Sequence, residues 1–279
     1  MRVRALLLIS FITLTGYCFA QDFSPVKKSF LELGVGAGNS LFRDKATSPL
    51  YYDGFSGSGS VGILKSGLKE ESDLNFTYSY GVQTNEFNNT FKSATTYIMD
   101  VSYTYLQSIG KWSDDIWNFK VGGTLISSTN FRENTALMNN SMGVENISNL
   151  MATGKVALSV PRVRAKTIKL PFFRIRLKPT YRDLSLSFST GLLNMNFRPG
   201  YAYNYLPQIT GTTMNSFSDY KFSVNGFRFM TKLCFTTFIK NGNGFRISYL
   251  FDVYNAPGRY EPFNFAKHTF QFSILFNYR

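Results

Sequence analysis

The feature that most limits what this chain can fold into is an alternation of apolar and polar residues that recurs along its length. Between Leu74 and Val82, for example, apolar residues occupy every even position, and Asn, Thr, Ser and Gly occupy the odd positions. A period of two is the period of a β-strand, because successive side chains of a strand point to opposite faces. The pattern therefore predicts an all-β fold.

Ten segments carry this alternation clearly, and at roughly ten residues they are long enough to cross a bilayer when tilted. They lie at 31–37, 55–63, 74–82, 97–105, 117–125, 150–160, 184–188, 217–240, 245–253 and 270–278. Single-chain bacterial barrels have even strand numbers, so residues 161–182 are expected to add either no strand or two. A hairpin around Leu170 and Pro171 is favoured, which gives 12 strands, and 10 strands is the alternative.

The connections between these segments are of two kinds. Those at 66–72, 110–115 and 241–244 are short, and the last of them, Asn-Gly-Asn-Gly, is typical of a tight hairpin turn. Those at 40–54, 84–94, 128–147, 198–216 and 255–263 are longer. Short turns on one side and long loops on the other are typical of outer-membrane barrels, in which the short turns are periplasmic.

The apolar content fits a wall with lipid on one side and a polar lumen on the other. Hydrophobic residues make up 44% of the chain and aromatic residues 17%. Beyond the N-terminus, however, no apolar run has the length of a membrane-spanning helix. We therefore expect an antiparallel transmembrane β-barrel. A soluble periplasmic β-sandwich also has period-two strands and is the alternative, but it would place fewer aromatic residues outward.

The N-terminus predicts export. Arg2 and Arg4 precede an apolar run from Ala5 to Leu14, and Cys18-Phe19-Ala20 provides small residues for cleavage before Gln21. Residues 1–20 are thus expected to be a signal peptide and residues 21–279 a single barrel domain. Acylation of Cys18 is an alternative, although Tyr17 stands where that processing needs a small residue. After cleavage only Cys234 remains, so no intramolecular disulfide is expected.

The last segment, Phe270 to Tyr278, resembles the C-terminal signal that hands outer-membrane barrels to the barrel-assembly machinery. The chain departs from the common form by ending on Arg279 after the aromatic residue. Together with the signal peptide and the alternation, this makes the mature chain similar to small, porin-like outer-membrane barrels of Gram-negative bacteria. The resemblance implies the cell outer membrane as location, with membrane lipid, lipopolysaccharide and the assembly machinery as partners. It carries no functional residues over.

Charge is the feature that bears most on function. Without Arg2 and Arg4 the chain has 28 − 17 = +11 charges, and in an exported protein the expected acidic partners are lipopolysaccharide, anionic sugars or small anions rather than nucleic acid. By parity, a basic track faces away from lipid: Lys120, Lys155, Arg174, Arg176, Lys178, Arg228, Lys232 and Arg246. It predicts a narrow channel for anionic solutes. The alternative is that these charges are solvated, or paired across a plugged interior.

Catalytic and cofactor signals are weak. The sole histidine, His268, shares the parity of Phe270 and Phe272, so an interfacial position is expected rather than a hydrolytic one. One histidine and one mature cysteine do not assemble a metal cluster. We therefore expect no enzyme, cofactor or metal. Besides the anion channel, two functions stay open, namely a scaffold or adhesion barrel that binds an envelope or surface partner, and a barrel-embedded hydrolase.

Overall fold

The computed structural model describes residues 28–45, 47–87, 90–114, 116–162, 165–169, 174–177, 179–197, 220–223, 227–239, 241–256 and 262–278. The predicted signal peptide, residues 1–20, lies outside these ranges. The strands are β1 (Lys28–Asp44), β2 (Tyr52–Ser66), β3 (Glu70–Phe87), β4 (Thr90–Ser108), β5 (Trp117–Glu133), β6 (Met142–Ser159), β7 (Lys166–Lys169), β8 (Arg174–Leu177), β9 (Arg182–Phe197), β10 (Tyr220–Ser223), β11 (Phe227–Phe238), β12 (Gly244–Ala256) and β13 (Phe263–Asn277). Two short 3₁₀ helices cover Gly110–Trp112 and Thr135–Asn140.

The strands form a closed antiparallel barrel. β1 pairs with β2 on one side and with β13, the last strand, on the other, so that Leu33 lies opposite both Val61 and Ile274. β6 pairs directly with β9, and β10 and β11 both pair with β9 at successive positions. The wall therefore has ten strand positions. The all-β barrel is confirmed with the alternative number of ten strands, and the favoured number of twelve is wrong.

The reason lies in residues 161–182, which do form the expected hairpin but not inside the wall. β7 and β8 pair with each other in a separate two-stranded sheet. With four residues each, they are shorter than the 9–11 residues a tilted membrane strand needs. Moreover, Ser159 is paired with Asp183, and Arg162 forms a bridge with Thr180. Because β6 and β9 pair directly with each other, no free strand edge is left between them for β7 and β8. The hairpin therefore extends the β6–β9 pairing beyond the barrel as a ribbon.

The barrel is apolar outside and polar inside. Large apolar side chains on the outer face are widely exposed, as at Val35, which is 67% exposed. Aromatic residues gather towards both ends of this face: Trp112 and Trp117 lie near the short turns, and Tyr97 packs between Tyr80 and Phe131 nearer the loops. Such girdles flank the lipid-facing band of membrane barrels. Within the described ranges, no helix is long and apolar enough to span a membrane.

The hairpin turn at 241–244 has the expected form. Gly242 has a φ of 86°, a left-handed conformation that favours glycine, and the Asn243 amide donates to Asn241 Oδ1 at 3.1 Å. Three of the predicted long loops, by contrast, are shorter than expected. The connections are residues 45–51 instead of 40–54, 88–89 instead of 84–94, and 134–141 instead of 128–147. The strands thus extend several residues past the predicted boundaries. The predicted loop at 198–216 lies outside the described residues.

Candidate functional site

The barrel interior is the candidate site, because it collects nearly all buried charge of the described chain. Strand alternation sets which residues enter it. In β1 the even positions, such as Glu32 and Ser40, are buried, while odd neighbours such as Leu33 are exposed to the outside. Directly opposed residues on paired strands share a face of the sheet. The strand pairing therefore identifies the inward residues of each neighbouring strand.

Among the described residues, seven interior cations each lie within 4.0 Å of a carboxylate. Seven carboxylates take part, so the paired interior charges balance. The pairs are Lys120 and Lys155 with Glu71, Arg132 with Asp44 and Glu145, Arg228 with Asp252, Lys232 with Asp73, Arg246 with Glu32, and Lys267 with Asp100 and Asp252. Buried charges of this kind are stable only when they are paired and hydrogen-bonded.

Several of these pairs join strands that are not neighbours in the wall. Lys267 on β13 lies 2.6 Å from Asp100 on β4. Arg132 on β5 lies 2.5 Å from Asp44 on β1. Four steps along the wall separate the strands in each case. These side chains therefore bridge the lumen from one wall to another instead of lining it.

Arg228 is the most deeply buried of the cations, with 0% of its surface exposed. Its Nε and Nη2 donate to the two oxygens of Asp252 at 3.1 and 2.7 Å, a two-point contact that suits guanidinium. Its Nη1 donates to Ser128 Oγ at 2.9 Å, on a strand three steps away. The guanidinium also lies 5.0 Å from the centre of the Tyr254 ring. All three guanidinium nitrogens of Arg228 thus donate hydrogen bonds to other side chains of the barrel.

The pair formed by Lys232 and Asp73 is looser than the others. Its atoms are 4.0 Å apart, and the two side chains are 30% and 20% exposed. Serines at inward positions of β2, such as Ser58 and Ser60, are also only half-buried. A polar space therefore exists in this part of the interior, between β2, β3 and β11.

Two apolar clusters lie towards the two ends of the lumen, next to the paired charges. The upper cluster, near the loops, comprises Phe42, Tyr52, Ala94, Ile98, Ile147, Tyr254, Ala256, Phe263 and Phe265. The lower cluster, near the short turns, comprises Phe30, Leu64 and Leu275, with Phe238 packed against them. The upper cluster draws residues from β4 and β6 as well as from β1 and β13, and so spans the lumen. These side chains are almost fully buried and so take up space that water would occupy in an open lumen.

Small residues make the close interior packing feasible. Gly36 and Gly38 continue the inward face of β1, and a Cβ on Gly38 would lie 1.7 Å from the His268 carbonyl oxygen. A Cβ on Gly34 would meet Gln271 Nε2 at 2.2 Å. The glycine-rich stretch of β1 thus allows close approach of neighbouring strands in a narrow lumen.

The predicted basic track divides into two groups. Lys120, Lys155, Arg228, Lys232 and Arg246 occupy inward positions of the wall, each beside a carboxylate. Arg174 and Arg176 belong to β8, outside the wall, because their lumen position depended on the twelve-stranded barrel. Lys178 lies outside the described residues. As a path for anions, the track stays a prediction.

Six partners in the interior network escaped sequence reasoning: Asp44, Glu71, Asp73, Arg132, Glu145 and Lys267. Each lies near a strand end, beyond the predicted boundary. Glu71 and Asp73 have the parity of the polar positions of β3, and Glu145 falls in a predicted loop that is part of β6. Continuing the alternation past the apolar runs would have found them.

The remaining candidates do not form a reactive centre within the described ranges. His268 is exposed on the outer face, where it hydrogen-bonds Tyr249 and its ring lies 4.7 Å from that of Phe251. This agrees with the outward orientation expected from its parity, and its position at the membrane interface stays a prediction. Cys234 is a buried free thiol. Among the described residues, no three His, Cys, Asp or Glu side chains are grouped so as to hold a metal ion.

Neither a protein-family model nor a curated protein matches the chain. Solved structures that resemble it include the translocator domain of the autotransporter NalP from Neisseria meningitidis, 9% identical with a TM-score of 0.39 over 99% of this chain and 97% of that one. The transport unit of the autotransporter AIDA-I from Escherichia coli is 8% identical, with a TM-score of 0.36 over 94% and 95%. An outer membrane channel from Pseudomonas putida F1 is 10% identical, with a TM-score of 0.33 over 93% and 100%.

At such low identities and TM-scores, these likenesses decide nothing about function. The pairing of the strands and the apolar exterior establish the architecture on their own. The chain is a closed, ten-stranded antiparallel barrel of the outer-membrane type.

Proposed function

We propose that this protein is a barrel with a closed lumen in the outer membrane of a Gram-negative bacterium, and that it acts as a non-enzymatic scaffold or adhesion barrel. The observation that supports a closed lumen most directly is the set of ion pairs that cross the lumen, such as Lys267 with Asp100 and Arg132 with Asp44. A solute-conducting lumen would need that volume for water. The interior of a ten-stranded barrel is only slightly wider than the space that inward side chains fill. The ion pairs that cross it therefore leave little room for a pore.

A flux measurement in vesicles tests the proposal. Vesicles that hold the refolded protein should release chloride no faster than protein-free vesicles. The double variant Lys267→Ala/Arg132→Ala removes two lumen-crossing side chains and should release it faster. Leu33→Ala, on the outer face of β1, is the matched control and should behave like wild type. Fast chloride release from vesicles that hold the wild-type barrel would overturn the proposal that the lumen is closed.

A narrow channel that favours anionic solutes is the second candidate function. It is supported by the polar space beside Lys232 and Asp73, where side chains are partly exposed inside the barrel. In that case Lys232 is the basic residue nearest a path for anions. Neutralising it in Lys232→Gln should then reduce anion selectivity, whereas Arg228→Gln should chiefly affect folding, because Arg228 is fully buried.

A hydrolase built on His268 has less support, since that side chain lies among outward aromatic rings. Phospholipid or peptide hydrolysis by purified protein that disappears in His268→Ala would overturn the non-enzymatic assignment.

A further inference from the structure

The ribbon formed by β7 and β8 is the strongest charged feature outside the barrel interior. Residues 161–182 contain eight basic residues and no acidic one: Arg162, Arg164, Lys166, Lys169, Arg174, Arg176, Lys178 and Arg182. Arg182 is the first residue of β9, but the barrel wall closes without residues 161–181, since β6 pairs directly with β9. A twenty-one-residue insertion that the wall does not need is therefore available for another role.

The pairing of the ribbon sorts its residues onto two faces. Lys169 lies opposite Arg174, and Thr167 lies opposite Arg176. Because directly opposed residues share a face and neighbours along a strand alternate, these four positions form one face, which is mostly basic. The other face holds the positions of Ile168, Ile175, Leu177 and Lys166. The four residues between the strands, Leu170 to Phe173, are apolar in sequence.

The ribbon leaves the barrel at the end where the wall turns are short. The bridge between Arg162 and Thr180 continues the β6–β9 pairing past Ser159, and the Phe238 amide donates to the Tyr181 carbonyl at the base of the ribbon. Phe238 also belongs to the lower apolar cluster. The ribbon base is thus fixed to the short-turn end of the barrel, which faces the periplasm in the proposed outer-membrane placement.

We infer that this ribbon docks on anionic phospholipid headgroups of the periplasmic leaflet around the barrel. A face of Lys and Arg attracts lipid phosphates, and an opposite face of Ile and Leu enters the boundary between headgroups and acyl chains. The apolar residues favour a bilayer over a hydrated anionic polymer, to which only the charges would be complementary. The inference rests on the proposed membrane placement, but not on whether the lumen is closed.

The test uses the folded barrel in lipid nanodiscs, with an environment-sensitive dye on Thr167→Cys in a Cys234→Ser background. In discs of phosphatidylcholine containing phosphatidylglycerol, the dye emission should shift to the blue relative to phosphatidylcholine alone, and 0.5 M salt should reverse the shift. The variant Lys169→Gln/Arg174→Gln/Arg176→Gln should lose the shift. Lys65→Gln/Lys69→Gln/Lys111→Gln removes as much charge from exposed positions near the other turns and should keep it.

Equal emission in both kinds of disc would overturn the inference, as would a shift that appears only when purified peptidoglycan is added to neutral discs. Loss of the shift in the Lys65→Gln/Lys69→Gln/Lys111→Gln control would also overturn the inference. It would mean that binding depends on the total positive charge at the short-turn end of the barrel and not on the ribbon. Heat-modifiable migration of each variant confirms that the barrel is folded. Conductance of the same purified proteins in planar bilayers tests the closed lumen separately, so the two proposals fail independently.

Discussion

At the scale of single residues, Arg228 is where burial and charge conflict most strongly. Removing the guanidinium in Arg228→Met leaves Asp252 buried with one distant partner, Lys267 at 3.9 Å. Breaking a buried pair in this way costs about 3–5 kcal/mol. We expect the midpoint of urea unfolding in vesicles to fall accordingly.

Lys232→Met is the matched control for that variant, because it removes a cation from a loose, partly exposed pair. Pairs of that kind contribute about 0–1 kcal/mol, so a small loss is expected. The double variant Arg228→Met/Asp252→Leu should recover much of the loss, since neither charge is left alone. Equal losses in Arg228→Met and Lys232→Met would contradict the network described here.

Gly38 gives a second prediction at this scale. A methyl group there would meet the His268 backbone at 1.7 Å, and backbone cannot turn aside as a side chain does. Gly38→Ala should lose about 1–3 kcal/mol, a usual cost of overpacking. At Gly59, where a Cβ meets nothing within 4 Å, alanine should change the unfolding free energy by less than about 0.5 kcal/mol. Similar effects at both glycines would argue against a tightly packed β1.

At the scale of elements, the ribbon and the wall should be separable. Replacing residues 163–179 by Asn-Gly keeps the bridge between Arg162 and Thr180 and closes it with a two-residue hairpin turn. The shortened protein should fold to a heat-modifiable barrel with the wild-type strand content by circular dichroism. A chain that no longer folds would mean that β7 and β8 support the wall after all.

The same scale shows what the sequence predicts and what it does not. The positions of all ten wall strands follow from the alternation, because lipid outside and polar side chains inside require it. The place of β7 and β8 does not follow, since Arg174 and Arg176 alternate with Ile175 and Leu177 just as wall residues do. Only the pairing of Ser159 with Asp183 shows that the wall closes without them.

The ends of the strands also differ from the prediction, and this difference changes the expected chemistry. With boundaries drawn at the last clear apolar residue, the acids Asp44, Glu71 and Glu145 fall into predicted loops, and the lumen is predicted to be basic. The strands continue past those boundaries with the same parity, which brings the acids inside next to Arg132, Lys120 and Lys155. A local pattern identifies which face a residue takes, but not how far pairing with the next strand extends.

At the scale of the whole molecule, the interior combines paired charges with apolar clusters that lie towards the loops and towards the short turns. The upper cluster and the charges support each other, because the rings of that cluster pack on Arg132, whose guanidinium lies 4.2 Å from the centre of the Phe263 ring. Excluding water in this way strengthens the ion pairs. The proposed closure of the lumen thus depends on residues from several strands of the assembled barrel, and no single strand accounts for it.

The measurement that tests this most directly is current across a planar bilayer that holds the refolded, heat-modifiable barrel in a KCl gradient. A closed lumen predicts no stable conductance steps from wild-type protein, and the appearance of steps in Lys267→Ala/Arg132→Ala. Stable wild-type steps with an anion-selective reversal potential would contradict the closed barrel, and would instead support the narrow anionic channel beside Lys232.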